Sequence, residues 1–381
     1  ERAATKANQL SPSNIDALNN LGLALEGQKK IKLALAIYNK AYSIAPENAI
    51  INNNLGNLYF QLSNLKKAIW HLRQSIILSP KLVRAHSNLC EIYEKTNDIR
   101  NFKIAVNNAL KLTNNHAEIM LKKGQLQFRN KQYKQSISTL QSFIETEIPE
   151  SKRAVLFEIL GKNFDFCGNY EKAFIHFNKM NFISSKQVGK LSINPRRYSA
   201  YISKLKTAYN INFKEYQSKS TSKSSKTPIF IIGFPRSGTT LLDTILRSHE
   251  MIDVIEEQPL VDKMVFEAGK FVDSKLLHQL SQTQIMDLEK TYNDQLDTLL
   301  PDRNSKKLLI DKFPLNIVNA PLIQKVFPKA KFILVLRHPY DCVLSCFMQN
   351  FHLNDAMANF LDLKMTSHLY SEIMTLWEIY S

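Results

Sequence analysis

The feature that most limits how this chain can fold is a spacing. Leu21-Gly22, Leu55-Gly56, Leu89-Cys90 and Lys123-Gly124 follow one another at intervals of 34 residues, and Leu160-Gly161 follows after 37, a three-residue insertion. Pro12, Pro46 and Pro80 keep the same period. A large apolar residue often falls three positions after the glycine (Leu25, Tyr59, Tyr93, Phe164), and a small one twelve after it (Ala34, Ala68, Ala173). In the third and fourth units Phe102 and Ser136 take the small position. Repetition at this period marks stacked helix–turn–helix units, each too small to bury its apolar face alone. The small residues let two helices approach, and the proline ends the second helix. Five such units are expected over residues 12–181.

The pattern resembles the tetratricopeptide repeat. That resemblance implies an all-α superhelix over residues 1–181 whose concave groove binds a protein or peptide. A purely structural or dimerising arm is an equal alternative. Asn19, Asn20, Asn53 and Asn54 fall on first helices, which line the groove in this family, where their amides are placed to clamp an extended backbone.

Residues 182–226 look different. A stretch with some helical pattern, RRYSAYISKLKTAYN, passes into the polar QSKSTSKSSK. We read this segment as a helical cap and basic linker, with a new domain beginning at Thr227. It explains much of the charge. The chain carries a net +16, but ten Lys or Arg and a single acid, Glu215, lie between Lys186 and Lys226. With no nucleic-acid-binding motif, the surplus reads as a solvated linker, and nucleic acid is not an expected partner. Cys90, Cys167, Cys342 and Cys346 are too scattered for a disulfide framework. They favour a reducing, cytoplasmic compartment. No apolar run reaches the length of a membrane span. The chain starts at Glu1 and stops inside the apolar pattern LWEIYS, so both ends are expected to be cut.

From Thr227 onward the periodicity changes. Short apolar runs at Ile229–Ile232, Ile252–Ile255 (weak), Leu308–Ile310 and Phe332–Leu336 are separated by helical stretches. This predicts a parallel sheet with crossover helices. Each run is followed by charge: Arg236, then Glu256-Glu257, then Asp311-Lys312, then Arg337. Ligands of open parallel sheets bind outside the carboxyl ends of the strands. These charges, drawn from four distant segments, are therefore expected to converge on one edge.

The stretch PIFIIGFPRSGTTLLDTIL has the form of a phosphate-cradling loop. Gly233 and Gly238 permit a tight turn. The amides from Ser237 to Thr240, Gly238 and Thr239 included, open a helix N-terminus that suits an anion. Arg236 adds a planar cation and Thr239 and Thr240 add hydroxyls. Thr239 stands where the nucleotide-triphosphatase loop carries lysine, which suits a shorter anion than a triphosphate. A second anion site is expected where Arg337 and Ser345, eight apart in VLRHPYDCVLSCF, share a phosphate.

Taken together, PIFIIGFPRSGTTLL and FILVLRHPYDCVLSCF resemble the 5′-phosphosulfate and 3′-phosphate motifs of sulfotransferases. DKFPLN, Asp311–Asn316, resembles the strand-end lysine segment of the branch containing protein-tyrosine and heparan sulfotransferases. The resemblance implies a P-loop-like α/β domain over residues 227–381, C-terminally truncated, in a bacterial tetratricopeptide–sulfotransferase fusion. It implies 3′-phosphoadenosine 5′-phosphosulfate (PAPS) as sulfuryl donor, no metal, and an acceptor hydroxyl, on a protein or peptide held by the repeats. It assigns the base to the second Glu of a pair 21 residues beyond the loop arginine, here Glu257, with Glu256 as competitor. Arg236 and Lys312 would stabilise developing charge; Ser237, Gly238, Thr239, Thr240, Arg337 and Ser345 would hold the donor. Small-molecule sulfotransferases carry lysine at the Arg236 position and a histidine base, so the Glu-base branch fits better. Two rival readings stand beside it. One is a non-catalytic peptide-binding scaffold with a relic nucleotide domain. The other, a P-loop kinase, is opposed by Thr239 and by Lys312, which would repel a metal. His249 and His338 are read as structural, and Cys342 and Cys346 as buried thiols.

Overall fold

The computed structural model describes residues 6, 10–113, 116–142, 148–216, 227–270, 277, 279–301 and 307–381, without side chains at 151 and 210–216. The chain divides into two compact units, residues 1–176 and 177–381.

The first unit is built from helix pairs: α1 (Ile15–Gly27) with α2 (Ile31–Ile44), α3 (Ala49–Gln61) with α4 (Leu65–Leu78), and α5 (Val83–Lys95) with α6 (Ile99–Leu112). The pairs continue with α7 (Ala117–Arg129) and α8 (Tyr133–Gln141), then α9 (Glu150–Phe166) and α10 (Tyr170–Lys190), whose residues from 177 onward fall in the second unit. The repeated glycine works by close approach. A Cβ on Gly22 would stand 2.4 Å from the Tyr38 ring, and one on Gly124 would stand 2.3 Å from Leu140. Ser136 replaces the small alanine by donating its hydroxyl to the Gly124 carbonyl at 2.8 Å. Phe102 is instead wholly buried in the core with Leu72, Leu89 and Cys90.

The turns between paired helices keep the period too. Lys29, Ser63, Asn97 and Lys131 all adopt left-handed φ between +56° and +60°, and Gly168 takes the same place at +76°.

The asparagines do not stand ready for a peptide. Asn54 donates to Asn19 at 2.7 Å, Asn53 to Asn54 at 3.0 Å, and Asn88 to Asn53 at 3.0 Å. Successive first helices are thus laced together by their own amides. Other asparagines cap helices: Asn14 and Asn48 accept from the first backbone amides of α1 and α3. Asn52 donates to the Pro46 carbonyl, as the His86 ring meets Pro80 one repeat later. The expected clamp is therefore corrected for Asn53 and Asn54, whose amides both donate and accept inside the array, while Asn19 accepts one bond there through its Oδ1. Asn20 lies exposed.

In the second unit α11 (Pro195–Tyr216) forms the helical part of the expected cap-and-linker segment. Its Ile202, Leu205, Ala208 and Tyr209 enter the core of the α/β unit. Four parallel strands follow in the order β2-β3-β1-β4: β1 (Ile229–Gly233), β2 (Ile252–Glu256), β3 (Leu308–Lys312) and β4 (Lys331–Val335). Phe230, Ile231 and Ile232 on β1 are fully buried, as a strand covered on both faces requires. Helices α12 (Thr239–Arg247), α13 (Leu260–Ala268), α14 (Gln282–Leu299), α15 (Ala320–Val326), α16 (Pro339–Phe347) and α17 (Leu363–Tyr380) complete it. The polar tail of the expected linker, residues 217–226, lies outside the described residues.

Candidate functional site: a lysine-free anion loop beside a buried lysine

β1 ends at Gly233, and the loop to α12 is fixed by what fits there. A Cβ on Gly233 would meet the Val335 carbonyl oxygen of β4 at 2.7 Å and Ser237 Oγ at 2.9 Å, so only hydrogen is accommodated. Gly238, at φ +106°, opens α12, and Arg236 takes a left-handed φ of +69° despite its side chain. A non-glycine residue in that region is held at a cost of about 1–2 kcal/mol, a strain that recurs at ligand-binding loops. Ser237 is buried, and its Oγ has no hydrogen-bond partner among the described residues. Thr239 is buried and Thr240 exposed.

α16 packs under this loop. Arg236 Nε donates to Ser345 Oγ at 3.0 Å, and the Cys346 thiol reaches the Pro235 carbonyl at 3.4 Å. Arg337, after β4, donates to the Arg236 carbonyl at 3.3 Å and pairs with Asp341 at 3.4 Å. Arg236, Arg337 and Ser345 therefore meet at the carboxyl end of β1 and β4. Arg337 and Ser345, expected to share a phosphate, both lie beside Arg236, which holds the serine hydroxyl. His338 precedes α16 as its N-cap residue, and His249 sits in the turn after α12.

One strand over, the charges converge on Lys312. Its side chain is fully buried, and its Nζ lies 2.7 Å from Glu257 Oε1, 3.1 Å from Glu256 Oε1, 3.3 Å from Asp243 Oδ2 and 3.5 Å from Thr240 Oγ1. Strand register explains part of this. Glu256 stands directly opposite Lys312 across the β2–β3 ladder, so the two share a face of the sheet. Consecutive strand residues point to opposite faces, and Glu257 would turn away if β2 continued. Its left-handed φ of +48° ends the strand, its amide donates to the Lys312 carbonyl at 2.8 Å, and both carboxylates reach one ammonium.

Burial pulls against the charge on Lys312, but bonds to Glu257 and Glu256 outweigh it and raise its pKa above the ordinary lysine value. Burial likewise pushes the Glu256 carboxyl up, yet Lys312 and Arg247 prevail and hold it below the usual range. Arg247 bridges Glu256 at 3.2 Å and Asp243 at 3.1 Å. Glu257, with more than half its side chain exposed, is the least enclosed of the three carboxylates.

Asp311 departs from expectation. It alternates with Lys312 along β3, so it faces the other side of the sheet, where it is fully buried and accepts a hydrogen bond from Tyr292 at 2.9 Å. Burial pushes its carboxyl up to about 7. It belongs to the core, not to the converging edge. Conversely, the sequence reading passed over Asp243 and Arg247. The available signal was an acid and an arginine four residues apart in α12, a spacing that puts the two side chains together on a helix.

Comparison with known proteins gives a family description to each part of the chain. Residues 228–380 match the sulfotransferase family and residues 2–49 match the tetratricopeptide repeat. A protein of Aquifex aeolicus is 26% identical over 255 residues, covering 64% of this chain and 33% of that protein. The nodulation protein NoeE of Sinorhizobium fredii is 30% identical over 127 residues, covering 30% of each. The chain thus spans about a third of the length of each of these relatives. Among solved structures, YrrB, a repeat protein with an unusual peptide-binding site, is 20% identical with a TM-score of 0.35, over 48% of this chain and 92% of that one. A tetratricopeptide repeat protein from Parabacteroides merdae is also 20% identical, with a TM-score of 0.38, over 50% of this chain and 78% of that one. Residues 228–380 belong to the sulfotransferase family, in a chain that carries tetratricopeptide repeats before them.

Proposed function

We propose that the second unit transfers a sulfuryl group from PAPS to an acceptor hydroxyl, and that the repeats present a protein or peptide carrying that hydroxyl. The observation that carries the reading is the juxtaposition of two features at the carboxyl ends of neighbouring strands. One is the Arg236–Ser345–Arg337 cluster; the other is Lys312 with its glutamates. The first suits two anionic groups of a doubly phosphorylated adenosine; the second suits acid–base chemistry beside them. Ser237 Oγ, buried and without a hydrogen-bond partner among the described residues, and the closely packed Gly233 fit a ligand that brings its own hydrogen-bonding atoms to the loop.

In this reading the acceptor oxygen attacks sulfur, its proton passes to Glu257, and the bond between sulfur and the bridging phosphate oxygen breaks. The electron pair leaves with adenosine 3′,5′-bisphosphate. Arg236 and Lys312 face the charge that gathers on the bridging and sulfuryl oxygens. Ser237, Gly238, Thr239 and Thr240 hold the 5′-phosphate; Arg337 and Ser345 hold the 3′-phosphate. Glu257 is preferred to Glu256 because Glu256 is engaged by both Lys312 and Arg247, while Glu257 is more open to a substrate. Donor binding would draw Arg236 off Ser345 and Lys312 off Glu257, freeing the base.

Calorimetry tests the donor assignment. Adenosine 3′,5′-bisphosphate is expected to bind, and to bind more tightly than ATP with magnesium; the reverse order would end the sulfotransferase reading.

A further inference from the structure

The geometry points to Asp243 as a positioning residue that holds the Lys312 ammonium in the site, with Arg247 tying it to Glu256. This rests on the proposed function above, in which Lys312 acts on the donor.

Asp243 is nearly fully buried, on the face of α12 turned toward the sheet. Its Oδ2 lies 3.3 Å from Lys312 Nζ and its Oδ1 3.1 Å from Arg247. It is the only one of the three carboxylates around Lys312 that water does not reach to any extent, Glu256 and Glu257 being roughly half exposed. A buried acid persists where it is paired, and both of its partners are cations.

The arrangement divides labour. The carboxylates of Glu257 and Glu256 approach Lys312 from the β2 end, where substrate would enter. Asp243 approaches from α12, the helix opened by the anion loop. When the donor arrives and Glu257 takes up its proton-transfer role, Lys312 loses a partner. Asp243 remains as a buried partner 3.3 Å from the ammonium, which keeps its place. Arg247, bound to both Asp243 and Glu256, stops those two acids from repelling each other across the lysine. Because Asp243 and Thr240 are on one helix with the loop amides, the same element sets the phosphate cradle and the lysine together. Asp243 acts through its contact with Lys312.

The test uses the whole chain and two variants, Asp243→Asn and Asp243→Glu. The first keeps the side-chain shape and removes the charge. The Lys312 acetylation rate under a limiting amine-reactive reagent is read by mass spectrometry against Lys331 as internal reference. Release of the ammonium from its buried anchor is expected to raise Lys312 labelling at least about threefold in Asp243→Asn, since an amine freed of a charged partner gains both exposure and its neutral form. Asp243→Glu is expected to stay near wild type. In sulfuryl transfer, Asp243→Asn is expected to lower kcat by about 100-fold, the loss typical of a small misplacement of a reacting group, with the Kd for adenosine 3′,5′-bisphosphate nearly unchanged. Labelling and kcat unaltered in Asp243→Asn would overturn the assignment. So would an equal loss of bisphosphate affinity, or failure of Asp243→Glu to recover a correctly folded Asp243→Asn defect, since those mark a general structural role. Failure of the proposed function shows itself elsewhere, as absence of bisphosphate binding by wild type, and leaves the labelling comparison readable.

Discussion

Asp311 makes the fold carry a pH-dependent liability whose size follows from its surroundings. Burial, countered in part by the Tyr292 hydroxyl and aided by Asp262, moves its pKa from 3.8 to about 7. Because the folded value lies above the unfolded one, the neutral acid is favoured in the fold. Its contribution is full below about pH 4 and is lost as pH rises to 7. A tenfold change in an ionisation equilibrium is worth about 1.4 kcal/mol, so full ionisation removes roughly 4 kcal/mol. Between pH 5 and pH 8 the loss is roughly 2–3 kcal/mol, because the group is still protonated in the fold at the lower value. Asp311→Asn keeps an oxygen for Tyr292 and removes the titration. The variant should therefore gain on wild type as pH rises, by roughly 2–3 kcal/mol from pH 5 to pH 8. The chain has two tryptophans, Trp70 in the repeats and Trp377 in α17. Urea unfolding in a Trp70→Phe background, followed by Trp377 fluorescence, reports the second unit alone. An advantage that is the same at both pH values, or that shrinks with pH, would refute the reasoning.

Other outcomes follow from close contacts and shared hydrogen bonds. Gly233→Ala forces a methyl against the Val335 carbonyl and should cost about 1–3 kcal/mol, the usual penalty for overpacking, seen as a lower urea midpoint of the second unit. Gly22→Ala drives a methyl into the Tyr38 ring and should lower the thermal midpoint of the repeats by a comparable free energy of about 1–3 kcal/mol, read by circular dichroism. Ser345→Ala removes the hydroxyl proposed to hold the 3′-phosphate and should weaken adenosine 3′,5′-bisphosphate binding about tenfold in calorimetry, the value of one hydrogen bond to a charged group.

Much of this was legible in residue order because it depends on periodicity. The 34-residue spacing of Gly22 and Gly56, met again at Gly124, reports a steric requirement that recurs once per helix pair. The four apolar runs report strands whose burial needs no knowledge of partners, and each observed strand matches its run to within a residue or two. What escaped depends on direction. Asp311 and Lys312 are neighbours in sequence, and strand alternation sends one into the core and the other into the site. The Glu256-Glu257 pair would be split in the same way but for a left-handed turn that composition does not announce. The asparagines were visible as a pattern, yet their partners are one another, a fact fixed only when first helices stack. Asp243 is silent for the same reason: its significance lies in Lys312, which stands 69 positions away.

The central claim is that Glu257 accepts the acceptor's proton while Lys312 and Arg236 face the departing bisphosphate. Labelled-sulfate transfer from PAPS to a panel of tyrosyl peptide, glycan and lipid hydroxyls, run with wild type, Glu257→Gln and Glu256→Gln, tests it most directly. The account predicts a fall of about 100-fold or more for Glu257→Gln, the scale of a lost general base, and a much smaller one for Glu256→Gln. Equal transfer by wild type and Glu257→Gln would contradict it.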